Sequence, residues 1–272
     1  IRRQRQMCIR DRLCFEENDL LDKTEYTQVA MVTACLAMTR AVESMGLHAD
    51  MTAGLSLGEY CAIAVAGGMC DLDAIRTVRS RGIFMEHAAP EGSGAMSAVL
   101  GMDAAVIEDV LNGREGVSIA NYNCPGQIVI TGEADAVAEA GTVLKEAGAR
   151  RVLPLKVSGP FHSPMMRPAG EELAKVFARV SMNPLKIPYV ANINAEVITD
   201  CGRIEGLLVE QVSGSVRWQQ SVETMIREGV DTFVEIGPGK TLTGFLRKID
   251  KNVKAYHIGS WEEAVQVCEE LK

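Results

Sequence analysis

At 272 residues the chain is long enough for one large α/β domain, or a domain with an insertion, and its core needs no disulfide or metal staple. With 47% apolar and 24% charged residues it has an ordinary soluble composition, and its longest apolar or small run, Val29 to Met38, is too short to span a bilayer. A net charge of −8 argues against nucleic acid as a general partner.

The eight cysteines show no C-x-x-C spacing and no grouping with the four histidines, so neither a zinc site nor a disulfide framework is expected. No apolar signal segment opens the chain, and a cytoplasmic protein is expected. Residues 1–12 carry Arg2, Arg3, Arg5, Arg10 and Arg12 against Asp11 and have no apolar periodicity. They read as a non-native or unstructured leader, leaving residues 13–90 and 158–272 as a large domain and 91–157 as an insertion.

Thr24 to Met45 has the apolar spacing of a buried helix closed by Gly46. A weak strand, Ala49 to Ala53, then runs into Gly54-Leu55-Ser56-Leu57-Gly58, a G-x-S-x-G pattern followed by the small-residue helix Tyr60 to Ala66. This is the pattern of a nucleophile elbow. A sharp strand-to-helix turn lifts the serine hydroxyl clear of the backbone, and the helix N-terminus points free N–H groups at a forming oxyanion. Asp71 to His87 is a second helix with Leu72, Ile75, Val78, Gly82 and Met85 on one face. Arg81 lies at the border of that face, a position that leaves a solvated arginine and a site residue equally open.

After the break at Pro90 to Gly94 the rhythm changes to strand Ala95–Leu100, helix Ala104–Leu111, strands Gly116–Ala120 and Gln127–Thr131, helix Ala134–Ala147 and strand Arg151–Val157. The order β-α-β-β-α-β matches a ferredoxin-like unit inserted into the larger domain. Its inner joint, Asn121 to Gln127, fits either a simple turn or a segment whose amides overhang a cleft. Next comes Ser158-Gly159-Pro160-Phe161-His162-Ser163-Pro164, where a histidine between two prolines is held on a rigid loop, as a general base must be. Helices at Glu171–Val180, Ile204–Gln211, Ser221–Glu228 and Thr241–Ile249 then alternate with strands at Pro188–Asn192, Thr232–Ile236 and Lys254–Ile258. That alternation predicts an α/β-hydrolase-like, mainly parallel sheet covered on both faces.

Five stretches together carry a family likeness: Gly-Leu-Ser-Leu-Gly-Glu-Tyr around Ser56, Arg-Gly-Ile-Phe-Met at Arg81, Ile119 to Gln127, Gly-Pro-Phe-His-Ser at His162, and Glu-Ile-Gly-Pro-Gly-Lys at Glu235 to Lys240. From about Asp22 to the C-terminus the chain resembles the malonyl-CoA:acyl carrier protein transacylases. The resemblance implies Ser56 as nucleophile, His162 as base oriented by the backbone carbonyl of Gln211, and the Leu57 N–H as part of the oxyanion hole. It implies Arg81 as a clamp on the malonyl carboxylate, Phe161 as an aromatic limiting room for a methyl branch, and Gln28, Asn121 and Asn123 as substrate-binding positions. It also implies a ping-pong transfer without metal or redox cofactor, with malonyl-CoA and acyl carrier protein as partners of a monomer. Arg150, Arg151, Lys156, Arg247, Lys248 and Lys251 are candidates for docking the acidic carrier.

Two departures stand out. The family opens with a strand and a Pro-Gly-Gln-Gly loop whose glutamine N–H completes the oxyanion hole, and nothing similar precedes Asp22, so the native start reads as missing or replaced. Leu55 stands where the family usually has histidine. The main alternative is a serine esterase or thioesterase with His257 as the late histidine of an α/β-hydrolase. A non-catalytic binding module is the third reading.

Overall fold

The computed structural model describes residues 19–157 and 159–271, so the basic residues read as a leader lie outside it. The expected first helix is α1 (Thr24–Ser44), and β1 (Thr52–Ala53) leads through the serine turn into α2 (Gly58–Val65) and then α3 (Asp71–His87). Both α2 and α3 pack on α1. Val32 and Leu36 of α1, Tyr60 and Ile63 of α2, and Val78 and Met85 of α3 share one core, each burial contributing about 1.5–3 kcal/mol. α3 lies unusually tight on α1, because a Cβ on Gly82 would sit 2.9 Å from the Glu25 Cα. Polar contacts fix the pair at both ends. Arg79 bonds to Glu25 at 3.0 Å, and Arg40 reaches the two Asp71 oxygens at 2.7 and 3.0 Å.

The middle of the chain builds its own core. β2 (Gly94–Leu100), α4 (Ala104–Leu111), β3 (Val117–Cys124), β4 (Gln127–Glu133), α5 (Ala134–Glu146) and β5 (Arg151–Pro154) follow the expected order. The strands form one antiparallel sheet, ordered β3-β4-β2-β5. Alternation along β2 sends Val99 toward Ile107 and Leu144 of the two helices. Met96 and Ala98 face the other way, toward Ala120, Val129 and Phe161. That second face looks onto the loop carrying the predicted histidine.

The chain then returns through α6 (Arg167–Phe177), β6 (Tyr189–Val190), β7 (Val197–Ile198), α7 (Ile204–Ser213), α8 (Trp218–Arg227), β8 (Thr232–Ile236), α9 (Thr241–Ile249), β9 (Lys254–Ile258) and α10 (Trp261–Glu270). The expected single, mainly parallel sheet is not what the described residues form. β1 pairs in parallel with β6, β6 pairs antiparallel with β7, and β8 and β9 form a separate parallel pair. Residues of β1 and β8 line a common cavity of about 850 Å³ instead of hydrogen-bonding to each other. With a described partner on one edge only, β1 shrinks to two residues of the five expected.

Three smaller differences have local causes. α6 begins before the expected Glu171 because Pro168 occupies its first turn, where a missing N–H costs nothing. β7 follows a turn at Ala195, whose φ of 56° takes the chain back along β6. α10 starts from a Ser260 N-cap: Ser260 Oγ accepts from Glu263 N at 3.2 Å, and the Glu263 carboxylate reaches one residue further back to accept from Gly259 N at 2.7 Å. No described helix is long and apolar enough to cross a membrane.

Candidate active site

Ser56 sits at the tip of the turn between β1 and α2 with a φ of 49°, a conformation a non-glycine residue adopts only when its surroundings impose it. Sterics account for half of the expected pair of glycines. A Cβ on Gly54 would lie 2.0 Å from the Gly58 carbonyl carbon, whereas a Cβ on Gly58 would meet nothing within 4 Å. The turn is clasped from outside by buried Asn192, just beyond β6. Its Oδ1 accepts from Ser56 N at 2.6 Å, and its Nδ2 donates to Gly54 O at 2.8 Å. The next N–H, that of Leu57 at the start of α2, makes no hydrogen bond to any described residue. It is free to receive an oxyanion.

His162 lies on the loop between β5 and α6, is 5% exposed, and also has a positive φ, 61°. The loop is braced by Ser163 Oγ, which donates to Pro160 O at 2.7 Å and accepts from Met165 N at 3.3 Å. His162 Nδ1 stands 2.8 Å from the main-chain O of Gln211 in α7. A carbonyl oxygen can only accept, so Nδ1 carries the proton and the Nε2 lone pair faces Ser56 Oγ, 2.7 Å away. Burial, followed by the charge of Arg81, lowers the histidine pKa to about 4 and keeps the ring neutral at physiological pH. Serine, histidine and a carbonyl thus form an activated-nucleophile arrangement without a carboxylate as the third group.

Arg81, 2% exposed, resolves its ambiguous place on α3 by turning inward. Its Nη2 donates to Ser56 Oγ at 3.0 Å and to Gln211 Oε1 at 3.0 Å, and its Nη1 donates to Gln28 Oε1 at 2.8 Å. Nε has no partner. A buried guanidinium with no described carboxylate within salt-bridge distance and one donor on the nucleophile can receive a carboxylate beside a serine-bound acyl group.

The acyl transferase domain family matches residues 1–267 of the chain. Over 265 residues, 96% of this chain and 84% of the relative, it is 42% identical to the malonyl CoA-acyl carrier protein transacylase of Bacillus subtilis. The chain belongs to the malonyl CoA-acyl carrier protein transacylase family. A crystal structure of such a transacylase from Clostridium perfringens superposes with a TM-score of 0.92 at 39% identity, covering 96% of this chain and 84% of that one. A malonyl-transacylase in complex with its type II PKS acyl-carrier protein superposes at 0.90 with 37% identity, covering 96% and 85%.

Among the residues predicted from sequence, Ser56, Leu57, Arg81, His162, Gln211 and Gln28 converge in this family member. Gln28 is fixed from its other end by a 3.6 Å contact from Nε2 to Met85 Sδ. Phe161 packs against both the large core and the inner face of the four-stranded sheet, so it stands where the two meet, beside His162. Asn121 and Asn123 are buried on β3 and make no side-chain hydrogen bond to these groups. Their strand is stitched to the segment after α7 by Tyr122 N to Val216 O at 2.9 Å and Val216 N to Ala120 O at 2.7 Å. Arg150, Arg151, Lys156, Arg247, Lys248 and Lys251 are all exposed.

The rival base is corrected by the structure. His257 Nε2 donates to Gly237 O at 3.0 Å and Nδ1 lies 3.3 Å from Glu263 Oε2, while Ser56 bonds to His162. Two residues of the site were given no role in the sequence reading: Asn192 and Glu59. Glu59, 1% exposed, has its Oε2 2.6 Å from Gln211 Nε2 and 3.2 Å from Asn192 N. Its place directly after the elbow glycine was the available signal.

Proposed function

We propose that the chain transfers a malonyl group from malonyl-CoA to the phosphopantetheine thiol of acyl carrier protein, by a ping-pong route through a malonyl ester on Ser56, in fatty acid synthesis. The observation that carries this reading is the Ser56 hydroxyl held between His162 Nε2 at 2.7 Å and Arg81 Nη2 at 3.0 Å. His162 takes the hydroxyl proton as Oγ attacks the thioester carbonyl, and the Leu57 N–H receives the oxyanion. The C–S bond then breaks, and the proton passes to the departing coenzyme A thiolate.

In the second half-reaction the carrier thiol gives its proton to His162 and attacks the ester, and Ser56 leaves as the reprotonated alcohol. Arg81 holds the malonyl carboxylate throughout, Phe161 narrows the space beside it, and Gln28, Asn121 and Asn123 line the path of the substrate. No metal or redox cofactor is required. The lobe of residues 91–157 is taken as a ferredoxin-like insertion into a hydrolase-like domain of residues 13–90 and 158–272, and the enzyme as a cytoplasmic monomer. The carrier complex of a relative supports the choice of acceptor. Steady-state rates with both substrates varied test the route: parallel double-reciprocal lines are expected, and intersecting lines would remove the ester intermediate.

A further inference from the structure

A primary amide has two ends of nearly equal size, and only one of them can face an arginine. Gln211 presents Oε1 to Arg81 Nη2 at 3.0 Å. Turned over, it would set an NH₂ group against a guanidinium, donor against donor, and the support would become a repulsion. The other end of the amide decides which way it points. Gln211 Nε2 donates to Glu59 Oε2 at 2.6 Å and to Ser56 O at 2.9 Å. The Ser56 carbonyl already receives Glu59 N at 3.3 Å, so Glu59 Oε2 is the nearer acceptor and the one supplied by a side chain.

We infer that Glu59 is a positioning residue for substrate selection: it fixes the Gln211 amide so that Arg81 is held ready for an acyl group bearing a free carboxylate. This rests on the carboxylate clamp proposed above. The same Oε2 accepts from Asn192 N at 3.2 Å, so one oxygen braces both the clamp and the clasp of the serine turn. The two effects separate in substrate preference. Disturbing the turn alters every acyl thioester alike, whereas disturbing the amide alters only those that carry a carboxylate. Glu59 Oε1 is buried and has no partner among the described residues, so Oε2 does the orienting. A glutamine carbonyl can replace it.

The test is binding of malonyl-CoA and of acetyl-CoA, which lacks the free carboxylate, by titration calorimetry in a Ser56→Ala background where no acyl transfer occurs. The reference protein prefers malonyl-CoA, and Arg81→Ala brings the two affinities close to equality. Glu59→Met reduces the preference about fivefold, the loss expected for one buried hydrogen bond, while Glu59→Gln keeps it within about twofold. An unchanged preference in Glu59→Met, or an equal loss in Glu59→Gln, overturns the inference. If circular dichroism shows Glu59→Met unfolded, Gln211→Met replaces it, since it keeps the main-chain carbonyl for His162 and removes only the amide. A retained preference there overturns the inference equally. An unchanged preference in Arg81→Ala would sink the clamp itself and this inference with it. Retention in Glu59→Met alone sinks only the positioning role.

Discussion

Replacing Glu59 by glutamine should abolish a dependence of stability on pH that the wild type carries. Burial raises the Glu59 pKa from 4.5 to about 8, against the opposing pull of the Gln211 and Asn192 hydrogen bonds and the Arg81 charge. The folded protein therefore holds this proton more tightly than the unfolded chain does. The resulting stability is fully present below about pH 4.5 and is lost as pH rises through about 8, at ~1.4 kcal/mol per pH unit and ~5 kcal/mol in all.

Glutamine cannot titrate, so the wild-type advantage over Glu59→Gln should fall steadily across that window. His162 runs in the opposite sense. Its pKa is lowered to about 4, so its contribution is lost as pH falls from about 6.5 to 4, but it is common to both proteins and cancels in the difference. Urea unfolding of the two proteins at a series of pH values between about 5 and 8 measures this directly. A difference independent of pH, or one that grows with pH, would refute the reasoning, because either result means that the buried carboxyl is ionised in the folded protein.

The lowered histidine pKa also predicts that Ser56 acylation stays flat from neutrality down to about pH 5; an acid limb near the ordinary value of about 6.5 would contradict it. Gly54→Ala should cost at least ~2 kcal/mol of unfolding free energy, since its Cβ would lie 2.0 Å from the Gly58 carbonyl carbon, and Gly58→Ala should change it by less than ~1 kcal/mol. Equal effects in denaturant titrations would show that the turn relaxes around either methyl. His257→Ala should leave the rate of Ser56 acylation within about twofold while lowering the midpoint of thermal unfolding, because its ring ties β9 to the Gly237 carbonyl. Loss of acylation on a folded protein would restore the esterase reading.

Much of the site could be read from residue type and spacing because its parts are local. A serine between two glycines and a histidine between two prolines announce turns, and turns are written in a few consecutive residues. The helix at Asp71 to His87 and the strands at Thr232–Ile236 and Lys254–Ile258 were legible for a similar reason, having clear periodicity and sharp ends. What could not be read were relations between distant segments. Spacing left Arg81 between solvent and site, and only the close approach of α3 to α1, permitted at Gly82, turns it toward Gln28. Asn192 is anonymous in sequence, because its two bonds to the elbow join residues 136 and 138 positions apart. The separation of β1, β6 and β7 from β8 and β9 among the described residues was illegible too, since each strand pattern fits a continuous sheet and carries no information on which edges meet. α10 was a different kind of miss. Its Ser-x-x-Glu cap stood in the sequence, followed by apolar residues at helical spacing.

The central claim is that Ser56, activated by His162 and backed by Arg81, forms an ester with a malonyl group. The intact mass of the chain after brief exposure to malonyl-CoA tests it most directly, with Ser56→Ala and Arg81→Ala measured alongside. A single malonyl adduct is expected on the wild type, absent from Ser56→Ala and much reduced in Arg81→Ala. An adduct that persists in Ser56→Ala, or a folded wild type that gains none, would contradict the account.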